Sequence, residues 1–227
     1  MWFYPFIFGP QAFILIPALL LAIYAQWRVR STYSTYSRVE SASRITAHEA
    51  ADRILSSQGI SDVSIESAQR TLGDHYDPRT KTLRLSDPSS SSVAAIGVAA
   101  HEAGHAIQHA NNYGPLGLRS AIVPVAQIGS RLAFPLFFIG LFTQIGPLVT
   151  AGIVLFSAAV AFTLITLPVE FDASRRAIAS LRENMIVSEG ELSSVKRVLS
   201  AAALTYVAAA AMAALQLLML LSMGRRR

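Results

Sequence analysis

Long apolar runs without a charged residue alternate with polar stretches along the 227-residue chain. Uncharged runs cover residues 6–27, 132–168 and 201–222. A helix rises about 1.5 Å per residue, so about 20 residues cross the roughly 30 Å hydrocarbon core of a membrane. The run 132–168 is too long for one crossing, and Gly146-Pro147 divides it with a turn signal. The pattern therefore predicts about four transmembrane helices, two of them in a hairpin.

The first apolar run favours an uncleaved membrane anchor over a secretory signal peptide. No Lys or Arg precedes it, and no clear Ala-x-Ala cleavage site follows it. The first arm of the hairpin reaches full length if it extends back through residues 121–129, with Arg131 snorkelling to the membrane interface.

The polar part of the chain predicts a small water-facing α+β domain between residues 28 and 131, where apolar residues recur at helical or strand spacing. A second polar stretch, 170–196, is expected to form one or two water-facing helices that begin after the hairpin. The elements expected in the α+β domain are a helix at 46–57, a strand at 62–66, a β-hairpin at 75–86, and a helix at 93–110 capped by a serine of 89–92.

Composition restricts the chemistry. The chain has no cysteine, so it has neither disulfides nor a thiolate nucleophile, and a metal site would have to use imidazole and carboxylate ligands. The net charge is +5, but the 19 Lys and Arg are scattered beside the apolar runs. A nucleic-acid groove would gather them into a basic stripe with interleaved aromatic residues, so no nucleic-acid partner is expected.

The helix at 93–110 contains the clearest chemical motif, His101-Glu102-Ala103-Gly104-His105, which matches H-E-x-x-H. The i, i+4 spacing places both imidazoles on one helix face, where they can bind one zinc ion. Glu102 then lies beside the metal-bound water and can act as general base. The alternative is a buried helix whose histidines bond only to backbone, but two buried imidazoles on one face favour a shared partner.

Glu170 is the expected third zinc ligand, because it begins the polar stretch that follows the membrane hairpin. Asp172 is the alternative; it points about 200° away around a helix and should have a different role. Ser174 follows Glu170 by four residues and could orient a zinc ligand. Glu170 can meet the two histidines only if an even number of membrane crossings separates them, which the predicted hairpin provides.

The distribution of basic residues predicts the side of the membrane on which the site lies. Most of the 19 Lys and Arg fall in residues 28–131 and 175–197, which the positive-inside rule places in the cytoplasm. Arg225, Arg226 and Arg227 oppose this orientation if the last apolar run crosses fully.

Three motifs occur in order: D-H-Y-D-P-R-T-K-T-L-R-L-S, H-E-A-G-H and P-V-E-F-D-A-S-R-R-A. With them the chain resembles, nearly from end to end, the YugP-like family of membrane neutral zinc metallopeptidases. More distantly it is similar to HtpX-type glutamate zincins, whose third ligand opens an E-[FY]-x-A-D helix; here Ser174 stands in place of that Asp. The resemblance implies Zn²⁺, peptide-bond hydrolysis, a membrane setting and a zincin-like domain, but no particular substrate.

Four further residues are candidates for the site. His75 and Tyr76 lie on the strand that glutamate zincins use to align substrate, although turn chemistry favours local hydrogen bonds for them. Arg175 could stabilise an oxyanion or anchor the chain at the membrane interface. His109, eight residues after His101, could support a ligand or lie at the rim of the site.

The sequence thus predicts a mainly α integral membrane protein of the cell membrane with a small cytoplasmic α+β zincin-like domain. Its expected function is zinc-dependent endopeptidase activity at the cytoplasmic face; the alternatives are a non-catalytic scaffold with a structural zinc and an intramembrane, site-2-type protease. Its expected partners are membrane lipid and a protein or peptide substrate, while a homo-oligomer or a membrane protein partner stays open. The predicted parts are an anchor at 1–27, a cytoplasmic domain at 28–131, a transmembrane hairpin at 132–168, a cytoplasmic helical segment at 169–199, and a transmembrane helix with a basic tail at 200–227.

Overall fold

A computed structural model describes residues 12–68 and 73–225. The first eleven residues of the expected anchor and the last two of the basic tail lie outside the described residues. A short 3₁₀ turn at Ala12–Leu15 precedes the first α-helix. The elements that follow are α1 (Ile16–Tyr36), α2 (Ala47–Ser57), β1 (Ser64–Ser67), β2 (His75–Asp77), β3 (Thr82–Leu85), α3 (Val93–Ala110), α4 (Gly114–Thr143), α5 (Gly146–Glu183) and α6 (Glu189–Gly224).

Four helical segments in the described part of the chain are long and apolar enough to cross a membrane. This confirms the expected fold class, a helical membrane protein with a small sheet. Helix α3, which contains the H-E-x-x-H motif, is not among the four candidate spans. The spans are Phe13–Tyr36, Gly114–Thr143, Gly146–Glu183 and Glu189–Gly224.

The chain divides into two compact units. The first, here called the helical unit, comprises Met1–Gln26, Leu118–Leu167 and Thr205–Arg227. Within it, α4 and α5 approach closely at small residues: a Cβ added to Gly152 would lie 2.7 Å from the carbonyl oxygen of Ala133. Such contacts are typical of helices packed in lipid, where small side chains let the backbones approach.

The second unit, here called the mixed unit, comprises Trp27–Gly117 and Pro168–Leu204. Its three-stranded sheet has the order β1-β3-β2, with β1 parallel and β2 antiparallel to β3. Helix α2 begins with a capping box in which Thr46 and Glu49 satisfy each other's backbone N–H groups. The sheet, α2, α3 and the parts of α5 and α6 in this unit share one apolar core.

One expectation about the second polar stretch was wrong. No new helix begins near Glu170, because α5 continues from the hairpin through Pro168 to Glu183. Proline cannot donate a backbone hydrogen bond and usually interrupts a helix. Packing outweighs that local cost here, since the residues at four-residue spacing after Pro168 are all buried in the mixed unit; they are Val169, Ala173, Ala177 and Leu181.

Candidate metal centre

Helix α3 places the two motif histidines in the interior of the mixed unit. It begins at the N-cap Ser92, whose hydroxyl accepts a hydrogen bond from the Ala95 N–H at 3.2 Å. One turn separates His101 from His105, and their rings meet edge to face with centroids 4.8 Å apart. Both imidazoles therefore lie on the same face of the helix, in a position to share one ligand.

Helix α5 brings Glu170 to this pair. Its Oε2 atom lies 3.2 Å from Nε2 of His101 and 3.5 Å from Nε2 of His105. The Glu170 side chain is only 2% exposed, so its carboxylate faces the two imidazoles rather than solvent. The structure therefore brings together the three residues that the sequence suggests as metal ligands.

A close contact between α3 and α5 makes this meeting sterically feasible. A Cβ added to Gly104 would lie 2.5 Å from the carbonyl oxygen of Ala173. Any side chain at position 104 would force the two helices apart, and Glu170 would move away from the histidines. The glycine inside H-E-A-G-H thus sets the distance between the helix that carries the histidines and the helix that carries the glutamate.

The donor set of the three side chains, and two of the three separations between their ligand atoms, fit a zinc ion. Their ligand atoms all lie within 4.8 Å of one another. A tetrahedral zinc ion with ligand distances of about 2.0–2.1 Å separates its ligand atoms by about 3.3 Å, close to the two distances from Glu170 Oε2. Two imidazoles and one carboxylate also form a donor set found in catalytic zinc sites, which keep a fourth position open.

The electrostatics of the site favour a cation. Burial lowers the pKa of His105, but the hydrogen bond that His105 donates to Glu170 and the charges of Glu102 and Glu170 outweigh this effect, so the pKa is raised overall. Glu102, which directly follows His101, is 8% exposed. Two carboxylates that have lost most of their hydration beside two imidazoles are stabilised by a positive charge between them.

Ser174 lies where it could orient a ligand, as the sequence suggests. Its hydroxyl is 3.1 Å from Nδ1 of His101, the ring nitrogen that does not face Glu170. A hydrogen bond to that nitrogen holds the imidazole plane in place. Whether this contact matters for metal binding stays a prediction.

The other candidate residues contact groups outside the triad. His109 Nδ1 lies 2.8 Å from the Tyr76 hydroxyl. Burial, with the charges of Asp62 and Asp77, raises the pKa of Tyr76 to about 12, so the phenol stays protonated and is able to donate to His109. His75 is exposed, with Nδ1 2.7 Å from the Gly73 carbonyl oxygen. The His75 contact is local to the hairpin, as weighed above, whereas the Tyr76 contact joins β2 to α3.

Asp172, the alternative ligand, belongs to a different set of contacts. Its carboxylate accepts hydrogen bonds from Arg175, Arg176 and the Gln108 side chain. Arg175, considered above for oxyanion stabilisation, is thus paired with Asp172, and its side chain is 78% exposed. The separation of roles between Glu170 and Asp172 follows from their different directions around α5.

Sequence reasoning overlooked Gln108 as part of the site. Its side chain is fully buried, and its Oε1 lies 3.0 Å from Nδ1 of His105. The available signal was its position three residues after His105, on the same face of the helix as both histidines. A polar amide on that face needs buried partners, and the histidine is one of them.

Comparisons with known proteins agree with this geometry. The family model described as "putative neutral zinc metallopeptidase" matches residues 11–225. The chain belongs to this family. It is also 49% identical over 213 residues to the "putative membrane protease YugP" of Bacillus subtilis (strain 168), covering 91% of this chain and 92% of the relative. These matches confirm the resemblance drawn from the three motifs, and the family description names the metal that the triad fits. No solved structure matches the chain.

Proposed function

We propose that this protein is a zinc-dependent endopeptidase of the cell membrane. The observation that carries the proposal is the close approach of Glu170 Oε2 to His101 Nε2 and His105 Nε2 on the helix whose H-E-x-x-H motif also contains Glu102. The family description and the relative's name, a membrane protease, support the same activity.

The residues of the site have two roles in peptide hydrolysis, metal binding and proton transfer. His101, His105 and Glu170 would hold zinc, which when bound supplies a Lewis acid that polarises a peptide carbonyl and acidifies water. Glu102 accepts a proton from the attacking water and delivers it to the leaving amine. One water molecule is consumed, and the peptide bond is replaced by a carboxylate and an amine.

The proposed site faces the cytoplasm. Residues 28–131 and 175–197 carry most of the basic side chains, and such segments are retained on the cytoplasmic side. Arg225, Arg226 and Arg227 follow the last apolar run and have the opposite preference, but they are outnumbered. Substrates would then reach the site from the cytoplasm or as cytoplasmic segments of membrane proteins.

Metal content and hydrolysis, measured together on protein purified in detergent, test the proposal. We expect about one zinc per chain in the wild type, a sharp loss of zinc in Glu170→Ala, and retained zinc in Glu102→Gln. Cleavage of a fluorogenic peptide mixture should fall at least about 10²-fold in Glu102→Gln, since it loses the general base.

Two outcomes would contradict the proposal. Hydrolysis at the wild-type rate by zinc-loaded Glu102→Gln would remove Glu102 from the mechanism. A wild-type protein that neither contains zinc nor takes it up on addition would favour a scaffold without peptidase chemistry. Ser180→Ala serves as the control for Glu170→Ala, because Ser180 is a buried polar residue of the same helix that lies outside the triad.

A further inference from the structure

A buried network of hydrogen bonds begins at Nδ1 of His105, the ring nitrogen that does not face Glu170. The Oε1 atom of Gln108 is 3.0 Å from Nδ1 of His105, and its Nε2 atom donates to the Val169 carbonyl at 2.8 Å and to Asp172 Oδ2 at 2.9 Å. Gln108 is fully buried, and the Asp172 side chain is 3% exposed. No competing water can therefore replace these contacts easily.

The partners of Gln108 determine the direction of each hydrogen bond. The Val169 carbonyl and the Asp172 carboxylate only accept, so the NH₂ group of Gln108 must face them. Its carbonyl oxygen, an obligatory acceptor, then faces His105, and Nδ1 of His105 must carry the proton. In a neutral imidazole this leaves the lone pair on Nε2, the atom that lies 3.5 Å from Glu170 Oε2.

Two arginine side chains bind Asp172, the residue at the far end of this hydrogen-bond network. Arg176 Nε lies 2.6 Å from Asp172 Oδ2, and Arg175 donates to the other oxygen of the same carboxylate. The Arg176 guanidinium also lies over the Tyr113 ring, 5.6 Å from its centroid. These contacts hold the Asp172 carboxylate in place, where it accepts the hydrogen bond from Gln108.

We propose that Gln108 is the positioning residue that fixes His105 in the one neutral tautomer able to bind zinc, with Asp172 holding the amide in the required orientation. The inference rests on the proposed zinc site and adds to it a residue and a direction of hydrogen bonding. His101 has a weaker counterpart, because the hydroxyl of Ser174 can either donate or accept and does not select a tautomer by itself.

Zinc affinity, measured by competition with a fluorescent chelator on the full-length protein in detergent, tests this role without any peptide substrate. Gln108→Met keeps the length and burial of the side chain but removes both donor and acceptor. We expect it to bind zinc about 10- to 100-fold more weakly than the wild type, as for other residues that orient zinc ligands. Ser180→Ala, which changes another buried polar side chain of the mixed unit, should leave the affinity unchanged.

A swapped pair separates tautomer control from packing. In Gln108→Glu/Asp172→Asn the new carboxylate accepts from His105, and the new amide donates to that carboxylate. We expect this double variant to bind zinc with an affinity within about threefold of the wild type. Gln108→Glu alone should bind zinc more weakly, because its carboxylate and that of Asp172 repel each other. Thermal unfolding of each zinc-free variant shows whether it is folded.

Each result decides between the alternatives. Wild-type affinity in folded Gln108→Met would overturn the inference while leaving the peptidase proposal intact. A folded double variant that loses more than tenfold in affinity would overturn it as well, including in the case where Gln108→Met does not fold. Failure of the wild type to bind zinc would instead reject the zinc site itself, and a zinc-binding wild type without hydrolysis would reject only the peptidase activity.

Discussion

At the scale of single residues, the site is defined by a buried carboxylate between two imidazoles. Glu170 is almost completely removed from solvent, and ionised groups are buried in proteins only when they are paired. In the zinc-free protein a proton on a histidine supplies positive charge beside Glu170, whereas in the loaded protein the metal supplies it. Metal and proton therefore compete for the same ring nitrogens.

This competition predicts how the stability of the zinc-free protein depends on pH. The pKa of His105 is raised above its ordinary value of 6.5, so its protonated form is favoured by folding. That contribution is fully present below the unfolded pKa and is lost as the pH rises through the raised folded value. We expect the thermal midpoint of zinc-free protein to fall between about pH 6 and pH 8.5, a range set by the ordinary histidine pKa of about 6.5.

Zinc-loaded protein is the control for this pH dependence, because its ligand nitrogens cannot take up a proton without releasing the metal. Its midpoint should change less across the same range. In zinc-free His105→Leu, most of the change of the thermal midpoint with pH should also be lost. A zinc-free wild type whose midpoint rises steadily from pH 6 to pH 8.5 would contradict the assignment of His105 as the protonated group.

Ser174→Ala gives a second prediction at this scale. The variant removes the hydroxyl that lies 3.1 Å from Nδ1 of His101 and changes nothing else near the triad. We expect zinc affinity to fall by up to about tenfold, the lower end of the range for residues that orient zinc ligands, since a water molecule could take the place of a hydroxyl. Chelator competition measures it; a loss greater than that of Gln108→Met would contradict the ranking of the two residues.

At the scale of secondary structure, the contact between α3 and α5 controls the site. Gly104→Ala would place a methyl group 2.5 Å from the Ala173 carbonyl oxygen, and backbone on both sides leaves no flexible group to yield. We expect it to lower the free energy of unfolding by about 1–3 kcal/mol or more, as overpacking does, and to reduce zinc content. Denaturant unfolding and elemental analysis measure the two effects.

Gly97→Ala is the matched control for Gly104→Ala on the same helix. Its added Cβ would lie 3.1 Å from Cγ1 of Val195, a side chain that can adjust. Alanine also favours a helix over glycine by about 1 kcal/mol, so we expect stability near that of the wild type and normal zinc content. Equal losses in the two variants would show that the approach of α5 to α3 is not what sets the geometry of the site.

Local signals were enough to predict most of the elements but not their packing. The serine N-cap and the unbroken apolar run predicted α3, and Gly146-Pro147 predicted the turn between α4 and α5. Pro168 misled the prediction, because its local cost is offset by burial of the residues that follow it. The 3.6-residue repeat placed His109 near the face of His101, yet its partner is Tyr76, a contact set by the position of β2.

Local signals also predicted the parts of the site that lie within one helix, but not the contacts between helices. The i, i+4 rule brings His101 and His105 together within one helix, and a motif placed Glu102 beside them. Glu170 was chosen by its place after the hairpin, and only the tertiary contact at Gly104 shows how it reaches the histidines. Gln108 was missed because its partners, Val169 and Asp172, lie about 60 residues away in the sequence.

At the scale of the whole molecule, the order of the elements restricts membrane topology. Between the histidines of α3 and Glu170 of α5 lie the apolar parts of α4 and α5, both in the helical unit. If each crosses the membrane once, the chain returns to the side from which it left, and the three ligands can meet. The topology therefore predicts that the turn at Thr143 and the residues of the mixed unit are exposed on opposite sides.

Because the chain has no cysteine, single cysteines can report this topology without background labelling. Ser56 of α2 and Ser193 of α6 are exposed in the mixed unit, and Thr143 is exposed at the end of α4. A membrane-impermeant maleimide applied to intact cells should label Thr143→Cys but neither Ser56→Cys nor Ser193→Cys, and inverted vesicles should reverse the pattern. Ser180→Cys, at a buried position, should stay unlabelled in both. Labelling of Thr143→Cys from the same side as Ser56→Cys would mean that α4 does not cross, and the reversed pattern in intact cells would place the proposed site outside the cell.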